Sequence, residues 1–408
     1  MGGVVIIGGG QGGYQCAASL RADGYEGAVT LVGDEPYLPY QRPPLSKEYL
    51  SGAKDDESLW FRPAAFYEQQ NIDIITGVRA QRIVRAEKTV ALSDGRTLPY
   101  DHLVLATGAR VRTLPVEGAD LDGVVSLRGL DDARDLKDRF ERASSCAVIG
   151  GGYIGLEVAA AACKAGLPVT VIEAEDRVLS RVAPPEISNY FERLHMNRGV
   201  VMNLGTTVTR ITGEGGKARG MELADGRTRE ADLIIIGIGV TPNTDLAEEA
   251  GLAVDDGIVV DAMLQTGDRA IFAIGDCAKF PCRAAGCDAR LESVQNAADQ
   301  GRAVARTICG KGAPYADIPW FWTIQFDVRL QTAGIPAGFD RAVERGDPEA
   351  DAFSIFYYRD DALIAVDSVN QPADHMAARM MLTKGLTPPP ALAGDEKSDL
   401  RGWLKEAG

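Results

Sequence analysis

Residues 4–13 read VVIIGGGQGG and residues 147–157 read AVIGGGYIGLE. One phrase is written twice, about 140 residues apart, and repetition on that scale signals a duplicated structural unit. In the first copy an apolar run over 3–8 predicts a buried strand. Gly8, Gly10 and Gly13 complete G-x-G-x-x-G, a helix is expected over 15–23, and a second strand over 28–32 leads to Asp34. The second copy has the same grammar: a strand over 146–149, then Gly150, Gly152 and Gly155, an alanine-rich helix over 156–165, a strand over 169–172, and Glu173.

Each copy is a βαβ unit with an acid about 20 residues past its glycines, the pattern of a dinucleotide site. One glycine makes the tight turn, one lets the backbone approach a pyrophosphate, and one lets helix and strand pack closely. The free N–H groups of the helix N-terminus then face the phosphates. A lone glycine motif is weak evidence, but two in the same strand–helix–acid context predict two dinucleotide sites. DHLVLATG (101–108) and ADLIIIGIG (231–239) read as further strands running into glycines, at matching distances after their βαβ units. Gly275-Asp276 follows AIFAI and places an acid at a third strand end, where it can meet a polyol or ribose.

The expected fold class is α/β, with two Rossmann-like dinucleotide-binding domains and a C-terminal α+β interface domain. The first domain is discontinuous, 1–112 and 245–320, and the second is the insert 113–244. Beyond about 321 the texture changes. Strands over 352–358 and 362–369 flank Asp360-Asp361 as a hairpin, a helix over 374–382 is capped by Asp374, and TPPPALAG breaks the chain before a charged tail over 395–408.

The net charge of −15 in 408 residues argues against a nucleic-acid partner, whose phosphates need Lys and Arg. No apolar run is long enough for a bilayer, so no membrane association is expected. Met1 leads directly into the first strand without a basic segment or cleavage site, which points to the cytoplasm. The seven cysteines are dispersed and expected to be free thiols. Cys277, Cys282 and Cys287 fit no zinc spacing, and no metal is expected. His102, His195 and His375 are scattered, none beside an acid in a catalytic spacing, and are read as structural or surface residues. HMAARMMLTKG (375–385) reads as the buried face of a helix.

YLPYQRPPLSKEYL (37–50), ATGAR (106–110), GGGYIGLEVAA (150–160), GDCAKF (275–280), RLESVQNA (290–297) and PWFW (319–322) together resemble the oxygenase-coupled NADH-dependent ferredoxin reductases of the putidaredoxin reductase type. That family belongs to the two-dinucleotide-binding flavoproteins with the glutathione reductase-like fold. The likeness runs through nearly the whole chain. It implies an FAD domain, an inserted NAD domain and an interface domain, with FAD tightly bound and NADH exchanging as substrate. Gly8, Gly10, Gly12 and Gly13 would wrap the FAD pyrophosphate, with Asp34 at the adenosine ribose, Ala80 near the adenine and Arg128 at the phosphates. Arg42 and Lys47 would lie along the flavin, Gly275 and Asp276 at the ribityl chain, the Val294 N–H at the pyrimidine edge, and Trp320 and Trp322 over the flavin face. Gly150, Gly152, Ile154, Gly155, Glu173 and Gly239 would hold NAD, Glu173 on its ribose hydroxyls. Lys47 and Glu157 are the expected catalytic pair, Glu157 beside the nicotinamide.

Three departures stand out. Disulphide reductases of this superfamily carry a cysteine pair early in the FAD domain, where this chain has PPLSK. The family often has Ser-Asp or Ser-Asn after PWFW, where this chain has Thr323-Ile324 and so loses a polar group. Arg177 and Arg181 lie just beyond Glu173, where they can meet a 2′-phosphate.

The resemblance implies an NADH:ferredoxin oxidoreductase, passing electrons through FAD to a [2Fe-2S] ferredoxin that serves a bacterial dioxygenase or cytochrome P450 in aromatic hydrocarbon catabolism. The alternatives are a rubredoxin or small-radical reductase, and an NADH-responsive flavoprotein with a regulatory role. A monomer or weak homodimer is expected. Arg290, Arg302, Arg306, Lys311 and Arg329 flank PWFW as a basic group in an acidic chain, and motivate a docking surface there.

Overall fold

The computed structural model describes residues 2–407; Met1 and Gly408, which end the expected first domain and the charged tail, lie outside them. The chain divides into two compact units. The first comprises residues 1–41, 56–110 and 242–321, and the second residues 42–55, 111–241 and 322–408.

The first unit is built on a seven-stranded sheet in the order Ile72–Ile75, Val29–Val32, Gly3–Ile7, Thr97–Leu105, Thr89–Leu92, Ala80–Val84, with Ile271–Ala273 also pairing with Thr97–Leu105. The strands around Gly3–Ile7 are parallel, Ile7 lying opposite both Val32 and Leu105. Parallel strands are covered on both faces, which is why VVII is a continuous apolar run rather than an alternation. The helix Gln11–Ala22 follows the first strand directly, starting four residues earlier than the sequence pattern suggests. Glycines at 12 and 13 disguise its first turn, because glycine is a poor helix former and is present here for packing.

The second unit holds the second copy. Its parallel sheet runs Val201–Asn203, Val169–Ile172, Cys146–Ile149, Leu233–Ile236, Val124–Ser126. Cys146–Ile149 lies between the second strand of its βαβ unit and a strand from far along the chain, as Gly3–Ile7 does in the first unit. The unit also contains a five-stranded antiparallel sheet, Trp320–Gln325, Val328–Gly334, Ala362–Val369, Ala352–Arg359, Arg341–Asp347. Asp360 and Asp361 turn the hairpin with φ of 51° and 59°, left-handed conformations that acidic residues tolerate better than most. One hydrophobic core joins the two sheets: Val148, Leu156, Val171 and Phe191 share it with Val328, Leu330, Phe353 and Ile355.

Three local expectations are corrected. Asp374 does not cap its helix, which runs Pro372–Lys384 from an N-cap at Gln371. The Asp374 carboxylate instead accepts from Ser354 and pairs with Arg345 at 3.2 Å. The methionine run is split: Met381 is buried, whereas Met376 and Met380 are exposed. The charged tail contains a helix, Leu400–Ala407, that buries Leu400 and Leu404.

Candidate functional site

The two glycine turns have the same internal geometry. Gly8 has φ +118° and Gly150 φ +111°, open mainly to glycine. A Cβ on Gly13 would lie 2.0 Å from the Gly8 carbonyl oxygen, and one on Gly155 2.1 Å from that of Gly150. These are the close helix–strand approaches. At the middle glycines the situation reverses: a Cβ on Gly10 or Gly152 would meet nothing within 4 Å. Those residues are the N-caps of Gln11–Ala22 and Tyr153–Lys164, and neither helix has a side-chain cap. Each turn therefore leaves open space beside uncapped backbone donors, the cradle an anionic pyrophosphate needs. Gly12 packs toward Ala297 and Ile274 instead.

The acids differ between the copies. Strand register places Gly33 one residue past Val32 and Glu173 one residue past Ile172. The Glu173 carboxylate accepts from the Gly151 N–H at 2.5 Å and the Glu175 N–H at 2.9 Å, which fixes it beside the second loop. Asp34 stands one residue later in its copy and is exposed. Arg177 donates to the carbonyls of Ala183 and Ser180 and to the Ser188 hydroxyl, so its guanidinium is committed to its own loop. Arg181 is exposed, and a Cβ on Gly239 would come within 3.2 Å of it. Ile154, in the first turn of its helix, is 50 % exposed, unusual for a large apolar residue beside a glycine loop.

The first unit also carries Ala80, half-buried at the start of a strand, and Gly275, which has φ +74° and donates its N–H to Gln300 at 2.7 Å. Asp276 follows, half-buried. Val294 is the first residue of the helix Val294–Ile308, behind an N-cap Ser293 that accepts from Asn296. Its N–H is among those a helix start leaves without an intrahelical acceptor. Trp320 and, in the second unit, Trp322 are half-buried.

In the second unit the segment QRPPLSK forms a short 3-10 turn, Pro43–Ser46, led by two prolines. Arg42 donates to the Arg128 carbonyl at 2.7 Å, and Asp132 holds the Arg128 and Gly129 N–H groups. Lys47 leaves the turn and pairs with Glu157 at 2.6 Å; the glutamate side chain is 2 % exposed. The lysine also donates to the Pro43 carbonyl at 3.1 Å and to Ser46 Oγ at 3.3 Å. Ser46 donates to Glu157 Oε2 at 2.6 Å, and Thr323 donates to Glu157 Oε1 at 2.6 Å. Gln325 bonds Thr323 at 3.4 Å, and His195 meets Gln325 Oε1 at 2.8 Å.

The sequence reading singled out Lys47 and Glu157 but missed Ser46, Gln325 and His195, and it treated Thr323 as part of a departure that removes polarity. The Thr323 hydroxyl is a buried donor to the glutamate. No spacing rule links residues 46, 157, 195, 323 and 325; the one available signal is the polar–apolar–polar alternation Thr323-Ile324-Gln325 that ends WFWTIQ. Burial lowers the His195 pKa to about 4, so the imidazole is neutral at physiological pH.

The family model described as pyridine nucleotide-disulphide oxidoreductase matches residues 2–301, and one described as reductase C-terminal matches 320–404. The chain belongs to the pyridine nucleotide-disulphide oxidoreductases. It is 48 % identical to rhodocoxin reductase of Rhodococcus erythropolis over 398 residues, 98 % of this chain and 93 % of that protein. The ferredoxin reductase for the CYP199A2 system from Rhodopseudomonas palustris matches with a TM-score of 0.97 at 45 % identity, covering 100 % of both chains. Putidaredoxin reductase in its covalent complex with putidaredoxin matches with a TM-score of 0.96 at 42 % identity, covering 100 % of this chain and 99 % of that one. The reductase is a flavoprotein oxidoreductase of the ferredoxin reductase type, with FAD and NAD(H) as its cofactors. The open glycine cradles and uncapped helix starts fit both dinucleotides.

Among the described residues, no helix is long and apolar enough to cross a membrane, and no group of three or more His, Cys, Asp or Glu is placed to hold a metal. The basic group around PWFW is not uniform. Arg290 is only 9 % exposed, pairs with Glu292 and Asp256, and donates to the Asp276 carbonyl, so it serves the strand end rather than the surface. Arg302, Arg306 and Arg329 are exposed, while Lys311 donates to the Asp23 carbonyl.

Proposed function

We propose that this reductase passes electrons from NADH through FAD to a [2Fe-2S] ferredoxin supplying an oxygenase, in the cytoplasm. The first glycine cradle, with Asp34, Ala80, Gly275, Asp276, Val294 and Trp320, is assigned to FAD, and the family resemblance extends a flavin role to Arg42, Lys47 and Arg128. The second cradle, with Ile154, Glu173 and Gly239, is assigned to NADH. FAD, when bound, links a two-electron hydride donor to a one-electron acceptor.

The observation that carries the reading is the buried Lys47–Glu157 pair beside the second cradle's helix. It supplies a fixed cation and a fixed carboxylate without a general acid–base residue. Hydride transfer asks for positioning, and these side chains are held by five hydrogen bonds that leave them little freedom.

Anaerobic stopped-flow tests the proposal. Mixing the yellow protein with NADH should bleach the flavin absorbance near ~450 nm, and a [2Fe-2S] ferredoxin should then restore it rapidly. Rapid bleaching that ferredoxin cannot reverse, with reoxidation by rubredoxin, would replace the acceptor. Slow reoxidation by every acceptor would favour the regulatory reading.

A further inference from the structure

We propose that Thr323, Gln325 and His195 are positioning residues that orient the Glu157 carboxylate, so the C-terminal strand Trp320–Gln325 helps to build the hydride-transfer site. The inference rests on the reading that Glu157 stands at that site.

The chain of bonds has a direction. Thr323 donates to Glu157 Oε1, so its oxygen is free to accept. Gln325 Nε2 donates to that oxygen, which leaves Gln325 Oε1 to accept from His195 Nε2. Every donor points toward the carboxylate. The direction requires His195 to carry its proton on Nε2, and His195 Nδ1 is buried with no partner, as expected for the bare nitrogen of that tautomer. Glu157, Thr323, Gln325 and His195 are all almost completely buried, so water does not compete along the chain.

The far end is anchored. Phe326, next to Gln325, has φ +57°, a strained conformation for a bulky residue. Its carbonyl accepts from Lys164, its ring receives the Arg198 guanidinium at 5.3 Å, and the His195 ring meets it edge-on with centroids 5.0 Å apart. Lys164 ends the helix that carries Glu157, and His195 lies on the helix Pro185–Asn197. The turn at Phe326 is therefore pinned to the helix bearing the glutamate, which fixes the height of Thr323 against it.

Functionally, the two Glu157 oxygens are divided. Oε2 takes Lys47 and Ser46, and Oε1 takes Thr323. Without Thr323 the carboxylate is held through Oε2 alone, by Lys47 and Ser46, and can pivot about that oxygen, so the plane in which it meets Lys47 is no longer fixed. The effect belongs to the chemical step rather than to NADH binding, because none of the three residues lies in the glycine cradle.

The test uses the FAD-loaded enzyme with NADH. Thr323→Val should slow the limiting rate of flavin reduction about tenfold to a hundredfold, the weight of one hydrogen bond to a charged group, with the NADH Kd within about twofold. Thr323→Ser should restore most of the rate, and Gln325→Leu should give a smaller loss of the same kind. In a Glu157→Gln background Thr323→Val should cost less than about twofold, since coupled residues are not additive. A second readout does not depend on turnover: 15N-histidine spectra should show His195 as the neutral Nε2-protonated tautomer. An Nδ1-protonated His195, a Thr323→Val variant with unchanged reduction, or losses that add in full to those of Glu157→Gln would overturn the positioning role. Unchanged reduction in Glu157→Gln itself would overturn the site reading, and the inference with it.

Discussion

Lys47 Nζ lies 2.6 Å from Glu157 Oε2, although 110 residues separate the two and both are largely withdrawn from water. Removing one member of such a pair strands a buried charge and costs about 3–5 kcal/mol, whereas replacing both with apolar or neutral groups of similar size costs much less. Lys47→Met should therefore lower stability by about that amount, and Lys47→Met/Glu157→Gln should recover most of it. Denaturant unfolding of the three proteins checks this; equal stability in both variants would mean that the pair is not closed in solution.

The glycine turns predict opposite outcomes for neighbouring substitutions. Gly13→Ala puts a methyl group 2.0 Å from the Gly8 carbonyl and should prevent stable folding of the first βαβ unit. Gly152→Ala meets no protein atom, so the variant should fold and retain FAD. It should weaken NADH by about tenfold or more, because the methyl occupies the space left for the phosphates. Equilibrium NADH titration separates these outcomes, and an unchanged Kd would remove Gly152 from the NADH cradle.

Nucleotide choice should follow Glu173 and not Arg177. The Glu173 carboxylate is fixed at Gly151, and in a dinucleotide-binding βαβ unit an acid at the end of the second strand favours ribose hydroxyls over a 2′-phosphate. Glu173→Ala should lower the NADH over NADPH ratio of kcat/KM by at least about tenfold. Arg177→Ala should leave that ratio unchanged and lower the thermal midpoint, because its bonds to Ala183, Ser180 and Ser188 hold the loop.

Asp367 makes a prediction about pH. It is buried beside Thr332 and Tyr357, and burial raises its pKa to about 6 against the pull of those hydroxyls. The folded chain thus keeps a proton that the unfolded chain releases near pH 4. Stability is present in full below about pH 4 and is lost as pH rises through about 6. Asp367→Asn cannot ionise, so above that range it should exceed the parent protein by up to about 3 kcal/mol, with the advantage vanishing toward pH 4. Unfolding measured across that range decides; a constant difference would assign the effect to packing.

Arg302 and Arg306 are exposed on one face of a single helix, Arg302 pairing with its helix neighbour Asp299 at the surface, and they are the members of the basic group that an acidic partner would meet. Reversing both charges should raise the KM for ferredoxin at low salt and leave ferricyanide reduction unaltered. An unchanged KM would place docking elsewhere. Arg290→Glu should instead disturb the strand end at Asp276, since that side chain is already paired.

The sequence alone determined the two βαβ units, their order and their acids. Everything in them is local: a continuous apolar run, glycines at fixed offsets, and an alanine-rich helix follow from sterics and burial within about 30 residues. It also led to the expectation of a first domain that is interrupted and resumed, because strand-then-glycine segments recur at matching distances. Helix starts were displaced where glycines mask the first turn. Only the tertiary structure decided which polar residues act together. His195, Thr323 and Gln325 look ordinary in sequence, and they become a directed chain onto Glu157 because strands and helices far apart along the chain fold into one buried core. Arg290 and Arg177 read as free cations and proved to be committed to structural bonds. Periodicity reports which face of an element is buried, but the partner of a buried polar group is set by long-range packing, and no local pattern encodes it.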